Sequence, residues 1–164
     1  MPIDLPTLTT IHTLLSLIGL VTGVVAIVAL FDIRLPRVWT QAFLTTAIAT
    51  SVTGFGFPLN GVLPSHVIGA VALVVLACVL TARYRSGAGW RRVDAIGIVA
   101  SEYFLMFVAV AQAFSKIPPL RALAPTQSEP PFAIAELVVL VLFVSLGIAA
   151  GRRSGRAIAI HVPA

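Results

Sequence analysis

Residues 8–37 read LTTIHTLLSLIGLVTGVVAIVALFDIRLPR. The part from Leu8 to Phe31 contains no Asp, Glu, Lys or Arg, and it exceeds the roughly 20 residues that a helix needs to cross a bilayer. Two arginines, Arg34 and Arg37, follow it directly. An apolar run of this length that ends in basic residues predicts a transmembrane helix whose second end lies on the cytoplasmic side.

The rest of the chain continues this pattern. Of its 164 residues, 59% are hydrophobic and 10% are charged, and the mean hydropathy is +1.04. A soluble domain carries about 25% charged residues, so this composition excludes one. The runs are too long for strands, and a bilayer admits only helices or closed barrels. We therefore expect an all-α integral membrane protein, with a single five-helix transmembrane domain over 1–150 and a basic cytoplasmic tail over 151–164. The expected spans are about 8–31, 38–57, 66–84, 94–115 and 131–150.

The basic residues are confined to alternate connections between these spans. Lys and Arg together number 11, and all but Lys116 and Arg121 lie in three places. Because basic residues are retained in the cytoplasm, we expect the N-terminus outside and the C-terminus inside. The residues that set this orientation are Arg34, Arg37, Arg83, Arg85, Arg91, Arg92, Arg152, Arg153 and Arg156.

The same distribution limits the expected partners. The isoelectric point is about 10.7, but the basic residues lie at span ends, so they indicate contact with anionic lipid and no binding of nucleic acid. We expect a lipid bilayer around the chain, together with a membrane-protein partner or a second copy of it. The first span is too long for a cleavable signal. The single cysteine, Cys78, lies within a span and excludes a disulfide inside the chain.

The long connection at about 116–130 reads KIPPLRALAPTQSEP. Its prolines prevent a continuous helix, although residues 120–123 can form one interfacial turn. Glu129 precedes Pro130 and Pro131, which is a typical helix start with an acid near the positive end of the dipole. Two roles are open for this segment: a cover over a site at the outer end of the bundle, or a simple tether.

Small residues recur at four-residue spacing on several spans. The pattern G-x-x-x-G occurs at 19–23 in the first span and at 147–151 in the fifth. In a membrane such faces let two helix backbones approach closely, so they predict where helices pack. The glycines expected at helix contacts are Gly19, Gly23, Gly54, Gly97, Gly147 and Gly151.

Polar residues from four spans lie close to the outer end of the bundle, and three of them share a helix face with small residues. His12 precedes Gly19 by seven residues and Glu136 precedes Gly147 by eleven, so each shares a helix face with a glycine. Turning them toward lipid would leave polar groups unsatisfied at a cost of several kcal/mol. The sequence therefore predicts a polar pocket in the outer leaflet. Its expected members are His12, His66, Gln112 and Glu136.

Glu102 is the remaining candidate, and it lies near the expected midplane of the membrane. A carboxyl group at this depth is a functional candidate by default. The alternative is a protonated acid that hydrogen-bonds a threonine of the second span and only specifies helix packing. The sequence leaves both interpretations open.

No catalytic motif stands out, so we expect a binding or accessory role rather than an enzyme. The most specific alternative is a b-type haem held by His12 and His66 from two helices that run in the same direction. A zinc or copper ion bound by His12, His66 and Glu136 is another. A quinone or a lipid headgroup in the same pocket is compatible with a transporter and with a structural subunit.

Two further classes remain. In a small proton-coupled transporter, Glu102 and the pair of His12 and Glu136 would form two points of a proton path. In a structural or assembly subunit, the polar groups would only specify how helices pair. The odd number of spans argues against two inverted repeats within one chain.

The runs TTAIATSVTGFGFP, LPSHVIGA and APTQSEPPFAIAE resemble those of a small family of bacterial multi-pass inner-membrane proteins. The resemblance extends from about His12 to the fifth span. It implies a bacterial inner-membrane location and no particular activity, because the histidine pairs and repeats of characterised haem and transporter families are missing.

Overall fold

The computed structural model of the protein describes residues 4–32, 34–57 and 64–156. These residues form helices joined by short turns, and no strand occurs among them. The six helices in chain order are α1 (Leu5–Phe31), α2 (Val38–Gly54), α3 (Pro64–Arg83), α4 (Ala88–Lys116), α5 (Pro118–Leu123) and α6 (Pro130–Arg156).

Four of these helices form a closed ring in the order α1, α2, α3, α4. Each packs along the next, and α4 returns to contact α1. The long α6 packs along α4 outside the ring, and the short α5 lies beside α4. We call the end with α5 and the start of α1 the loop end, and the end with Arg34, Arg83 and Arg152 the basic end.

The described helices suit a membrane. Four segments are long and apolar enough to cross one: α1, residues 66–83 of α3, α4 and residues 130–155 of α6. Large apolar side chains cover the outside, and Val21, Val74 and Val138 are each more than 60% exposed. Exposing so continuous an apolar surface to water is energetically unfavourable. The chain is therefore an all-α membrane protein.

Several helix ends differ from the predicted spans. Helix α6 continues to Arg156, so residues 151–156 are helical; residues 157–164 of the predicted tail lie outside the described residues. Helix α4 begins at Ala88 rather than at 94, whereas α2 ends at Gly54 rather than at 57. Hydropathy marks where lipid begins, and a helix can run on past that boundary until a turn residue stops it.

The expected interfacial turn is present as α5. At the other side of this loop the Glu129 carboxylate accepts hydrogen bonds from the backbone N–H groups of Thr126 and Ser128 and from the Thr126 hydroxyl. Gln127 has a left-handed backbone, with φ of 58°, and its amide donates to the Ala111 carbonyl at 2.6 Å. The loop is therefore fastened to the end of α4.

All six glycines predicted at contacts lie against a side chain of a neighbouring helix. At Gly97 of α4 an added methyl group would overlap the Val79 side chain of α3. At Gly147 the same methyl group would lie 3.8 Å from Val99, an ordinary contact. The remaining glycines meet Leu105 and Thr46 (Gly19), Glu102 and Phe43 (Gly23), His12 (Gly54) and Ile96 (Gly151).

Packing is dense in the half of the ring toward the basic end. Phe43, Leu76, Val79 and Ile98 are each at most 1% exposed there, and the fully buried Ala26 belongs to the same cluster. At the surface of that end, the Arg83 guanidinium forms an ion pair with Asp94 at 2.9 Å and links α3 to α4. The half toward the loop end is not filled in this way.

Candidate functional site

A cavity of about 680 Å³ occupies the loop-end half of the ring. All four ring helices line it, and Ala47, Leu76 and Ser101 lie at its deep end, next to the dense core. Small residues make the space, because they leave room where larger side chains would meet across the ring. These residues are Ser16, Ala47, Ser51, Gly54, Gly69, Ala72 and Ala109.

His12 reaches the cavity from α1 in a defined orientation. Its Nδ1 lies 3.0 Å from the Thr53 hydroxyl of α2. That hydroxyl donates its only hydrogen to the Ala49 and Thr50 carbonyls, at 2.8 and 3.1 Å. The hydroxyl can accept from the imidazole while it donates to those carbonyls, an arrangement that places the imidazole hydrogen on Nδ1 and leaves the Nε2 lone pair free.

Aromatic and small residues hold the same imidazole from the side. The Phe57 ring meets it edge-on, with centroids 5.3 Å apart. The Cε1 atom of His12 lies 3.6 Å from the position that a Cβ atom on Gly54 would occupy. These contacts leave the ring half-buried with one edge toward the cavity.

His66 lines the cavity from α3. The Phe55 ring, which directly follows α2, packs against it with a centroid distance of 5.9 Å. Both ring nitrogens are buried, and neither has a hydrogen-bond partner among the described residues. A buried nitrogen pair without partners is costly unless something else binds it.

Other polar groups are spread along the cavity wall. Ser16 donates to the His12 carbonyl of its own helix at 2.7 Å and is thereby satisfied. The Thr50 and Ser101 hydroxyls have no partner within the described part of the chain. Gln112 lies nearer the loop end, and Lys116 is the charged residue of the described lining.

Glu136 does not line the cavity. Its carboxyl is buried where α6 packs on α4, within electrostatic range of the Tyr103 hydroxyl, and has no hydrogen-bond partner in the described ranges. Tyr103 in turn packs against Phe143 of α6. The prediction joined Glu136 to His12, His66 and Gln112, and the structure brings together only the last three. The reason is that one face of α4 lines the cavity and another packs against α6, and Glu136 lies at the second of these faces.

Glu102 lies next to the cavity but outside its lining. The side chain is fully buried, and its carboxyl lies against Gly23 of α1 and the Phe43 ring of α2. Neither carboxyl oxygen has a partner among the described residues, so the expected hydrogen bond to a threonine of α2 is not formed. Thr46 and Thr53 of α2 instead donate to carbonyls of their own helix, and Thr50 is among the residues that line the cavity.

A bare metal site is not formed either. Within the described residues, no three His, Cys, Asp or Glu side chains lie close enough together to hold a metal ion. The expected zinc or copper site of His12, His66 and Glu136 fails because Glu136 belongs to a different helix contact.

Sequence reasoning missed Thr53, Phe55, Phe57 and Lys116. A usable signal was present for Thr53. In an antiparallel helix pair with a short connection, residue numbers at facing positions have nearly constant sums; Gly19 faces Thr46, so His12 should face a residue near 53. No comparable signal exists for the two phenylalanines, which follow the end of α2.

No protein family, no curated protein and no solved structure matches this chain.

Proposed function

We propose that the chain crosses a bacterial inner membrane five times, with the loop end in the periplasm and the basic end in the cytoplasm. Helix α2 would be the additional span beside α1, α3, α4 and α6. Its 17 residues extend about 25 Å, and it lies along α1 from Phe43, which contacts Gly23, to Thr53, which contacts His12. The alternation of basic connections and the resemblance to bacterial inner-membrane proteins support this arrangement.

Cysteine accessibility tests the topology in a Cys78→Ala background. A membrane-impermeant maleimide added to intact spheroplasts should label Ala122→Cys in α5, and should label Pro36→Cys and Ser86→Cys only after lysis. All three positions are exposed. If Pro36→Cys and Ser86→Cys react from opposite sides, α2 does not cross the membrane and the five-span arrangement is wrong.

We further propose that the protein binds a small amphipathic molecule in the cavity and is not an enzyme. One observation carries this proposal: an unfilled space of about 680 Å³, mostly apolar, whose lining includes His12, His66 and Gln112. Ligand sites typically measure about 300–1,000 Å³ and combine apolar walls with a few placed polar groups. A structural role alone does not require such a space, because packing would be more favourable if it were filled.

Native mass spectrometry of the detergent-purified protein tests ligand binding. We expect a bound small molecule that is lost in Ala109→Phe, because the added ring would occupy the cavity. The matched control is Leu14→Phe, which adds a ring on the 54% exposed outer face of α1 and should retain the ligand. Loss in both variants, or in neither, contradicts this location.

A further inference from the structure

We propose that the ligand is a long-chain fatty acid, with its hydrocarbon chain in the cavity and its carboxylate at Lys116 and Gln112. This inference rests on the proposed ligand-binding function and names the chemical class of the ligand.

The cavity is long and narrow. Its lining follows α4 from Ser101 at the deep end to Lys116 at the loop end, a length of about 22 Å at 1.5 Å per residue. A volume of about 680 Å³ spread over that length gives a mean width of about 6 Å. An α-helix with its side chains is about 10–12 Å wide, so a helical peptide would not fit. A single extended hydrocarbon chain is narrow enough to enter and long enough to fill the space.

The deep half of the cavity offers an apolar wall. The oxygens of Thr50 and Ser101 at this depth have no accessible surface, so they present no polar group to a ligand. Apolar side chains from all four ring helices form the wall: Leu20, Ala47, Ala72, Leu76 and Leu105. A hydrocarbon chain can therefore fill this half without covering a polar group that needs a partner.

The loop end of the cavity carries a positive charge without a counter-charge. Lys116 is the only charged residue of the described lining, and it forms no ion pair within the described ranges. Asp4 and Glu129, the acids of the described loop end, accept hydrogen bonds from backbone N–H groups of their own segments. The residues outside the described ranges contain no Asp or Glu. An anionic group of the ligand would supply the missing partner for Lys116.

Gln112 and Lys116 together suit a carboxylate. They are four residues apart on α4, so they share one face of the helix, and both line the cavity. The amide and the ammonium group are hydrogen-bond donors, and a carboxylate has two oxygens that accept. Both side chains are exposed, so the ionised head would keep its contact with water while the chain is enclosed.

The first experiment measures binding of radiolabelled palmitate to the full chain in detergent micelles, with protein-free micelles as the blank. We expect one saturable site. Lys116→Gln should weaken the affinity for palmitate about 10-fold to 100-fold, the loss typical of a hydrogen bond to a charged group, and Lys116→Arg should largely retain it. The matched control is Arg121→Gln, because Arg121 is the other basic residue of the loop end and does not line the cavity. Equal affinities in Lys116→Gln and Arg121→Gln would contradict the proposal.

A neutral analogue tests whether the charge of the head group is recognised. Hexadecanol has the same chain length as palmitate and no charge, so it should bind the wild-type protein more weakly and should not be affected by Lys116→Gln. If hexadecanol binds the wild type as tightly as palmitate does, the protein does not select an anionic head and the fatty acid is the wrong ligand.

Photo-crosslinking tests the orientation and needs no variant. Palmitate with a diazirine at the end of its chain should label the segment around Leu76, at the deep end. Palmitate with a diazirine beside the carboxylate should label the end of α4 near Lys116. The reverse order, or labelling confined to the exposed face of α6 around Val138, would overturn the assignment.

The failures of the two proposals are distinguishable. If native mass spectrometry finds a cavity ligand with the mass of a quinone or a two-chain phospholipid, and palmitate does not saturate, the fatty acid is the wrong ligand and the binding cavity stands. If no ligand is found, palmitate does not bind, and Ala109→Phe behaves as wild type, both proposals are wrong.

Discussion

Gly97→Ala is expected to lower the free energy of unfolding by about 2 kcal/mol. The added methyl group would overlap the Val79 side chain, which is fully buried and branched at Cβ, so it cannot rotate away without strain. This loss exceeds the gain of about 1 kcal/mol that alanine brings over glycine in a helix. Reversible unfolding in mixed detergent micelles, followed by the fluorescence of Trp39 and Trp90, measures the difference.

Two controls isolate the steric cause. Gly147→Ala should be neutral or slightly stabilising, because its methyl group meets Val99 at an ordinary 3.8 Å. The double variant Gly97→Ala, Val79→Ala should be more stable than Gly97→Ala alone, since the new methyl group enters the space that Val79 vacates. If Gly97→Ala is as stable as Gly147→Ala, α3 and α4 do not approach each other as closely as described here.

Glu102→Met is expected to raise the free energy of unfolding, by about 1–2 kcal/mol. The carboxyl is fully buried against Gly23 and Phe43, and neither oxygen has a hydrogen-bond partner among the described residues. Methionine is similar in length and flexible enough to fill the same space, and it removes a polar group that gains nothing from burial. The measurement is the same detergent unfolding experiment.

The matched control is the same substitution at Glu129, with the opposite expected sign. Glu129→Met removes the acceptor of three hydrogen bonds from Thr126 and Ser128 and should lower stability. A destabilising Glu102→Met would mean that this carboxyl makes a favourable interaction within the membrane, such as one with a bound ligand or a proton path. The idea of Glu102 as a purely unsatisfied group would then be wrong.

The extent of sequence-based prediction differs between levels of structure. The apolar segments, their all-helical nature and the turn at 120–123 were all readable, because each depends on composition and on residues close together in the chain. Helix ends were less predictable. The apolar segment ends where hydropathy falls, but α6 continues through GRRSGR to Arg156 despite its two glycines.

The candidate site was predictable only in part, because the sequence shows which face of a helix a residue occupies but not which helix that face contacts. Periodicity places a residue on a face of its own helix, and this was enough to turn His12 and Gln112 toward the cavity, whereas His66 was placed only by its depth. Periodicity does not say which helix that face meets. Glu136 also turns inward, but it meets the α6-facing side of α4 and not the cavity.

The sequence by itself determined that this is a helical membrane protein with basic residues at one end, since hydropathy and charge act on each segment separately. Only the tertiary structure decided that α1 to α4 close into a ring that is dense around Phe43 and open around His12 and His66. The physical reason is that a cavity depends on the sizes of side chains that meet across the ring. Those residues are far apart in the chain, and no local pattern specifies their meeting.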